Sequence, residues 1–511
     1  MKARTSDGKV SISAPFTINE IKIMKNYAYL FLAAATIISA CEKEVIPEPI
    51  PVQKNLMVFS DNFIIPDILY KAEPVSGDIY IQTWKHEKLS GQDTYVPYLQ
   101  CLGKDGNLKW SQWVPFTRKA GVTYVNYTVF DITTEGCVID GFSAFDQNER
   151  SQSFITKINP DGTYAWGNEG KLFYDFGENA WDSPCESFVA ADNEGGAWIA
   201  AGNGKETLVI ARVDKDGSFV VDPIVFSSKN GTADDKQMIR RPQMYVGSDN
   251  SLFALLQYGN PVAQVGSDVM IEGYYDIVKI PADGNPDNII QNRLVDDGEI
   301  FNGGMRALLN EDGKGGAYAI FENGMVEIHA YLYHFDSNAN VDVKGVDIYP
   351  SGSIFSQLNI YTALDSKTGN LVILLQDLQP DGYNNDFSIV NLQIVSQNGQ
   401  LKYDGDGENI LETSNKGTLW SRMGYFVPTS DGKFIFTFIW DVAKKTNFLY
   451  RSGIDIDKGE MQDINEVVEI DETLSAGPSI DTKMQVTDGF LRHLWYNENE
   501  MKIYGYDVKI N

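Results

Sequence analysis

Seven hairpins built on Asp-Gly or related turns recur at a spacing of about 55 to 67 residues, and eight polar-glycine turns each open an apolar strand. One strand without a partner flanks that array at each end. These observations predict an all-β fold: a single β-propeller over residues 55–511, with eight four-stranded blades, or seven as the alternative, and an N-terminal strand completing the last blade.

The clearest hairpins surround Asp105-Gly106 and Asp161-Gly162, where alternating apolar residues flank a turn whose Asp and Gly tolerate positive φ. The unit returns at Asp216-Gly217, Asp283-Gly284, Asn338-Ala339-Asn340, Asn398-Gly399 and Lys458-Gly459. Before each hairpin comes the second element. Its best copies are Asp192-Asn193-Glu194-Gly195-Gly196-Ala197-Trp198 and Asp312-Gly313-Lys314-Gly315-Gly316-Ala317-Tyr318, with looser versions around Gly77, Gly136, Asn250, Gly369, Gly432 and Gly489. The eighth unit ends in the strand at 501–510 and has no outermost strand, whereas residues 55–60 precede the first unit with none to pair with. Pairing the two closes the ring and removes the exposed edges of an open array.

The Asp-Gly-x-x-x-Trp endings at Asp105 to Trp110 and Asp161 to Trp166 resemble bacterial β-propeller repeats and, more remotely, the quinoprotein-like eight-bladed repeat. The latter group includes a propeller lipoprotein of the outer-membrane barrel-assembly machinery. Two units keep the Trp, and Val221, Asn288, Tyr403 and Asp463 stand at the equivalent place in four others. The resemblance implies fold and not activity. Packing between blades is role enough for the tryptophans. The cofactor-binding side chains of quinoprotein dehydrogenases have no counterpart set here, so no cofactor is expected.

The start of the chain carries an address. Met24-Lys25-Asn26 leads into an apolar stretch over residues 27–38 and then Ser39-Ala40-Cys41, the charge, short apolar core and small residues that export and cleavage require. Ile38-Ser39-Ala40-Cys41 resembles the lipobox of bacterial lipoproteins, which implies cleavage before Cys41 and acylation of its thiol. Two or more acyl chains hold a protein stably at a membrane. Residues 1–23 read as a mis-called start, 24–40 as the signal peptide and 41–54 as a stiff, proline-rich, acidic tether. Glu42-Lys43-Glu44 loosely resembles the surface-export signals of Bacteroidetes lipoproteins. The expected location is the outer membrane, facing the surface in preference to the periplasm.

The formal charge is −28 and the sequence pI about 4.5. Residues 1–41 hold five cations against two anions, so the chain without them carries about −31. Nucleic acid is excluded as a partner, since that affinity rests on phosphate neutralisation by Lys and Arg. Beyond Cys41 the chain has Cys101, Cys137 and Cys185, too few for a disulfide framework; one bridge at most has room, and buried free thiols are expected.

Signals for chemistry are sparse. His86, His329, His334 and His493 show no metal-ligand spacing, and the odd separation of His329 and His334 places them on opposite faces of one strand. Asp336, Asn338, Asn340 and Asp342 alternate oxygen donors as a calcium loop does, though Val341 stands where the glycine belongs, so solvated hairpin turns are the plainer reading. The 70 acidic residues supply nominal glycosidase pairs everywhere and therefore point nowhere. No nucleophile elbow, phosphate loop or dinucleotide fingerprint has a strand-to-helix setting.

The leading reading is a membrane-anchored binding or scaffold module with no enzymatic activity and a protein or glycan ligand. Trp84, Tyr95 and Tyr98 are rings that stack on sugars, or equally pack within blades. Two alternatives stay open. A glycan hydrolase or lyase would use carboxylates on the axial face, one with a raised pKa; an envelope-assembly partner would show an exposed strand edge or apolar patch.

Overall fold

In the computed structural model the described residues run from 53 to 509, apart from short intervals of which the longest are 179–185, 228–237, 380–386, 414–423 and 477–489. The expected signal peptide, Cys41 and the tether up to residue 52 lie outside the described residues, as do Asp105-Gly106 and Cys185.

The chain is all-β, with one 3-10 turn at Pro286–Asn288 among the described residues. The strands form antiparallel four-stranded units in chain order, each joined by hairpins. Unit 1 shows the plan: Phe63–Ala72 is innermost, followed outward by Ile79–Leu89, Gln92–Leu102 and Val114–Pro115. Five strands follow over residues 124–178, where the short Tyr124–Val125 and Thr128–Ile132 both pair with Val138–Phe145, and then five sets of four over 186–227, 238–302, 308–347, 359–412 and 425–470. In the eighth, Leu474–Ala476, Phe490–Asn497 and Lys502–Lys509 take Gln53–Val58 as their outer strand, with Met57 opposite Ile503. The N-terminal strand therefore completes the last unit, starting at Gln53 inside the stretch expected as tether. Units 2 and 3 share a hydrogen-bonded boundary through the parallel pairs Ser187 with Thr128 and Phe188 with Val129; units 4 and 5 meet at Phe301 and Asn323.

Burial explains the composition of each strand. The second and third strands are covered on both faces by neighbouring units, so they read as unbroken apolar runs such as Leu371 to Leu375 and Leu208 to Ala211. Outer strands are wetter: in Phe219–Ser227, Val221 is buried while Phe219, Val220 and Val225 are exposed. The core is accordingly divided into apolar layers between units. One holds Leu69, Tyr80, Leu99, Cys101 and Trp110 of unit 1 against Phe130, Val138 and Ile158 of unit 2.

A repeated clasp joins consecutive units along the rim that carries the Asp-Gly turns. In each case a donor from one unit reaches the carbonyl of the second turn residue in the next. Trp110 Nε1 donates to Pro160 O at 2.8 Å, Trp166 Nε1 to Lys215 O at 3.0 Å and Arg212 Nη1 to Ala282 O at 3.1 Å. Lys279 Nζ donates to Ser337 O and Lys402 Nζ to Ile456 O, both at 2.7 Å. Between units 5 and 6 the bond passes to a side chain, from Lys314 Nζ to Gln397 Oε1.

Beneath these bonds, the residue at the tryptophan position packs on the turn glycine of the next unit. Gly162 has φ +85°, and a Cβ there would lie 3.1 Å from the Trp110 ring, so a side chain would both strain the backbone and press on the ring. Val221 covers Gly284, Val343 covers Gly399 and Tyr403 covers Gly459 in the same way. Asn288 does not take the equivalent place. The 3-10 turn at Pro286–Asn288 lengthens that hairpin, and Asn292 performs the task by donating to Ala339 O at 2.8 Å.

Three contacts bring the two ends of the array together. Arg492 Nη2 of unit 8 donates to Lys104 O of unit 1 at 3.0 Å. Tyr70 of unit 1 and Tyr425 of unit 7 share a buried hydroxyl bond of 2.7 Å, and the Tyr425 ring meets His493 of unit 8 edge-on at 4.7 Å. Burial raises both phenol pKa values and pushes that of His493 down to about 3.

Two predictions follow from this packing. Trp110→Ala removes a ring that fills the boundary of units 1 and 2, and urea unfolding should show a loss of about 3 to 5 kcal/mol; a loss below about 1 kcal/mol would show that the clasp does not hold the units. His493 stays neutral in the fold down to about pH 3, whereas the unfolded chain protonates it near pH 6.5. Its contribution is therefore complete above pH 6.5 and declines as the pH falls towards 3. Between those limits His493→Gln should lose stability less steeply than the parent, by up to about 1.4 kcal/mol per pH unit. Parallel pH profiles from denaturant titrations would refute this.

Candidate functional site

The described residues among those singled out by the sequence have definite places. Asp336 caps its own hairpin: Oδ1 accepts from the backbone of Asn338 at 2.8 Å and Asn340 at 2.9 Å, and Oδ2 accepts from the Asn340 side chain at 3.0 Å. Burial opposes ionisation of Asp336, but these bonds outweigh it and its pKa is lowered. Asp342 points elsewhere and meets His334 Nδ1 at 2.5 Å, while His334 Nε2 faces Asp312 at 3.1 Å. The four oxygen-bearing residues therefore divide between a turn cap and a histidine bridge. Among the described residues no three His, Cys, Asp or Glu side chains gather as metal ligands do.

His329 takes the opposite face of the strand and lies 3.3 Å from Asp347. Cys101 and Cys137 are buried free thiols, and burial raises the pKa of each, to about 12 for Cys101. Tyr98 is buried and donates to Glu87 at 2.8 Å, which removes it from any exposed stacking surface. Tyr95 is 43 % exposed and lies opposite His86, with ring centroids 5.2 Å apart. Trp84 is half-buried and shares that face, two residues along from His86.

That face looks towards unit 2. Tyr80, on the same side of the strand, donates to Gly136 O of unit 2 at 2.7 Å, which fixes the orientation of the whole row. From the other side, Phe142, Ala144, Gln152 and Phe154 of unit 2 look back towards unit 1, because they share alternation with Val138 and Ile158 in the common apolar layer. The connection from unit 1 to unit 2 runs between them, tied by Phe116 N to Pro97 O at 3.0 Å and Arg118 N to Asn168 O at 2.7 Å.

A recess of about 290 Å³ opens there, on the rim opposite the clasps. Lys119, Gly121 and Val122 come from the connection; Ala144, Phe145, Asp146, Asn148, Gln152 and Phe154 come from the second hairpin of unit 2. Stacked Phe142 and Phe154, with centroids 5.2 Å apart, support its floor, and Lys119 Nζ lies 5.1 Å from the centre of the Phe154 ring. Among the described residues the Lys119 ammonium has no ion-pair partner. Its surroundings are otherwise committed: Asp146 caps the hairpin by accepting from Asn148 N and Arg150 N, while Arg150 and the Gln152 amide both donate to Asp175. Asn148 is exposed.

A second recess, of about 460 Å³, lies among the clasps of unit 4 and includes Asp249, Lys279, Asp283 and Asn288. Its lysine is spent on Ser337 O and lies 3.8 Å from Asp249, so this hollow belongs to the joint between units. The carboxylates whose shifts are described are all held low. Burial would raise Glu73, Asp175 and Asp249, yet hydrogen bonds leave all three lowered, and side-chain and backbone bonds lower Asp161 and Asp455.

The recess residues Lys119, Asn148 and Gln152 were not legible in the sequence. They belong to a connection and a hairpin outside the repeated turn motif, and only the facing of two units brings them together.

No protein family and no curated protein matches the sequence. Among solved structures the chain is similar to the β-propeller domain of the trilobed protease from Pyrococcus furiosus, at 11 % identity and TM-score 0.36, over 78 % of this chain and 98 % of that one. It is also similar to an ulvan lyase, polysaccharide lyase PL25, at 12 % identity and TM-score 0.40, over 89 % and 96 % of the two chains. The NanB sialidase of Streptococcus pneumoniae follows at 11 % identity and TM-score 0.32, over 76 % and 68 %. These likenesses are distant, and the fold rests on the strand pairing itself.

Proposed function

We propose that this protein is an exported propeller, held at the outer membrane by acylated Cys41, which captures a glycan in the recess between units 1 and 2. The observation that carries the reading is the composition of that recess. A polar rim of Lys119, Asn148 and Gln152 stands beside the half-buried ring of Phe145, above the buried pair Phe142 and Phe154, on the rim opposite the clasps. Sugars present both hydroxyls and apolar C–H faces, and such a surface answers both. Its size suits a small ligand rather than a folded partner, near the lower end of the range for such sites. The half-buried Trp84 and exposed Tyr95 face the same boundary and would lengthen the contact along a glycan chain. An acyl anchor followed by a stiff tether suits a module that holds a ligand near the membrane.

The anchor and the recess are tested separately. Cys41→Ser should abolish incorporation of labelled palmitate and shift the protein from the membrane to the soluble fraction; continued labelling would eliminate acylation at Cys41. For the recess, Asn148→Trp places a large ring at an exposed position on its rim. On an array of neutral, uronate-bearing, sulfated and sialylated oligosaccharides, the parent protein should retain glycans that Asn148→Trp releases. Equal retention by both would move the site elsewhere, and retention of nothing by the parent would end the glycan reading.

A further inference from the structure

The chemistry of the recess goes one step beyond a glycan in general, and this step rests on the reading of that recess as the ligand site. Lys119 is a cation without an ion-pair partner among the described residues of a chain with a formal charge of −28. In so acidic a chain a free ammonium has carboxylates available to it, yet this one lies over the Phe154 ring instead. Most lysines of units 2 to 5 for which contacts are described meet carboxylates or turn carbonyls: Lys157 meets Glu135 and Gly195 O, Lys171 meets Asp216 O and Gly217 O, and Lys344 meets Asp296.

We propose that Lys119 receives the carboxylate of an acidic sugar, with the ring of that sugar resting in the recess. A single ammonium is a compact charge suited to a singly charged group; of those that sugars carry, a carboxylate is more basic than a sulfate ester and accepts the stronger charge-assisted bond, whereas a doubly charged phosphate calls for several cations or a planar guanidinium fork. Neither nearby guanidinium lines the recess: Arg150 donates through Nε to Asp175 at 2.6 Å, and Arg118 bonds the Tyr164 side chain. The Phe154 ring beneath Lys119 holds the ammonium in place and keeps water from one side of it, which strengthens a charge-assisted bond to the ligand. The rest of the rim treats the hydroxyls: Asn148 offers a donor and an acceptor, and the Gln152 amide, which already donates to Asp175 at 2.9 Å, leaves its carbonyl as an acceptor. The negative charge of the whole chain repels long polyanions, so the site selects an acidic sugar at a chain end or branch over a densely charged polymer.

The oligosaccharide array provides the test, with Lys119→Ala, Lys119→Arg and, as a remote lysine, Lys344→Ala. Uronate-bearing or sialylated glycans should bind the parent protein. Lys119→Ala should weaken them by about tenfold or more, the effect expected for losing a hydrogen bond to a charged group, and Lys119→Arg should retain part of the binding. Lys344→Ala should bind as the parent does. Retention that is confined to neutral or sulfated glycans, or that Lys119→Ala leaves unchanged, would overturn the carboxylate assignment. If such retention is still lost in Asn148→Trp, the recess stands as the site and only the ligand class falls.

Discussion

The structure depends on one contact made again and again: a donor on one unit reaching the turn carbonyl of the next, over a glycine that leaves room for it. A four-stranded antiparallel sheet by itself leaves two apolar faces and two strand edges exposed. Here each face is covered by the neighbouring unit, and the clasp sets the distance and angle at which the two sheets meet. Trp110 shows why the pattern is economical. Its ring fills the apolar layer beside Tyr80, its Nε1 satisfies Pro160 O, and its face closes over Gly162. Where the tryptophan is absent, the same work is divided. Between units 3 and 4, Arg212 donates to Ala282 O and Val221 covers Gly284.

A chain of such clasps has two loose ends unless it returns on itself, and the N-terminal strand Gln53–Val58 on the last unit prevents that outcome. The closing unit is held from both sides, through Arg492 to the turn of unit 1 and through His493 against Tyr425 of unit 7. Closure also explains why fully buried polar groups are tolerated near the inner strands. Tyr70 and Tyr425 lie far apart in sequence, yet their hydroxyls share one bond, and the backbone of Leu494 is a further partner of Tyr70.

The clasps occupy one rim, and that division of labour shapes what the protein can bind. On the clasp rim, Lys279, Lys402 and Arg212 are consumed in holding turns, and the hollow beside Lys279 inherits that commitment. The opposite rim carries the crossing connections and the second hairpin of each unit, outside the clasps. Lys119, Asn148 and the exposed Tyr95 all lie there. The same logic accounts for the oxygen-rich turn at Asp336 to Asp342, which lies on the clasp rim and whose oxygens serve the turn and His334.

By itself the sequence determined the strands, their grouping into repeats, the closing role of the first strand, and the place of the tryptophans between units. Alternation of apolar residues marks a strand and Asp-Gly marks a hairpin, each within about a dozen residues, while the period and the unpaired strands at the two ends are read by comparing units along the chain. What the sequence could not show is which residues meet across a boundary. Asn288 aligned with Trp110 by spacing, but a short 3-10 turn moved the task to Asn292. Asp342 aligned with a calcium-loop pattern, but the hairpin register turned it to His334. Tyr98 and Tyr95 were equivalent as aromatic residues until alternation buried one and exposed the other. The recess at Lys119 is the extreme case, since its walls come from a connection and a hairpin about thirty residues apart, and its orientation depends on how unit 1 faces unit 2. Such contacts are fixed by the twist and packing of whole sheets, which no local spacing encodes.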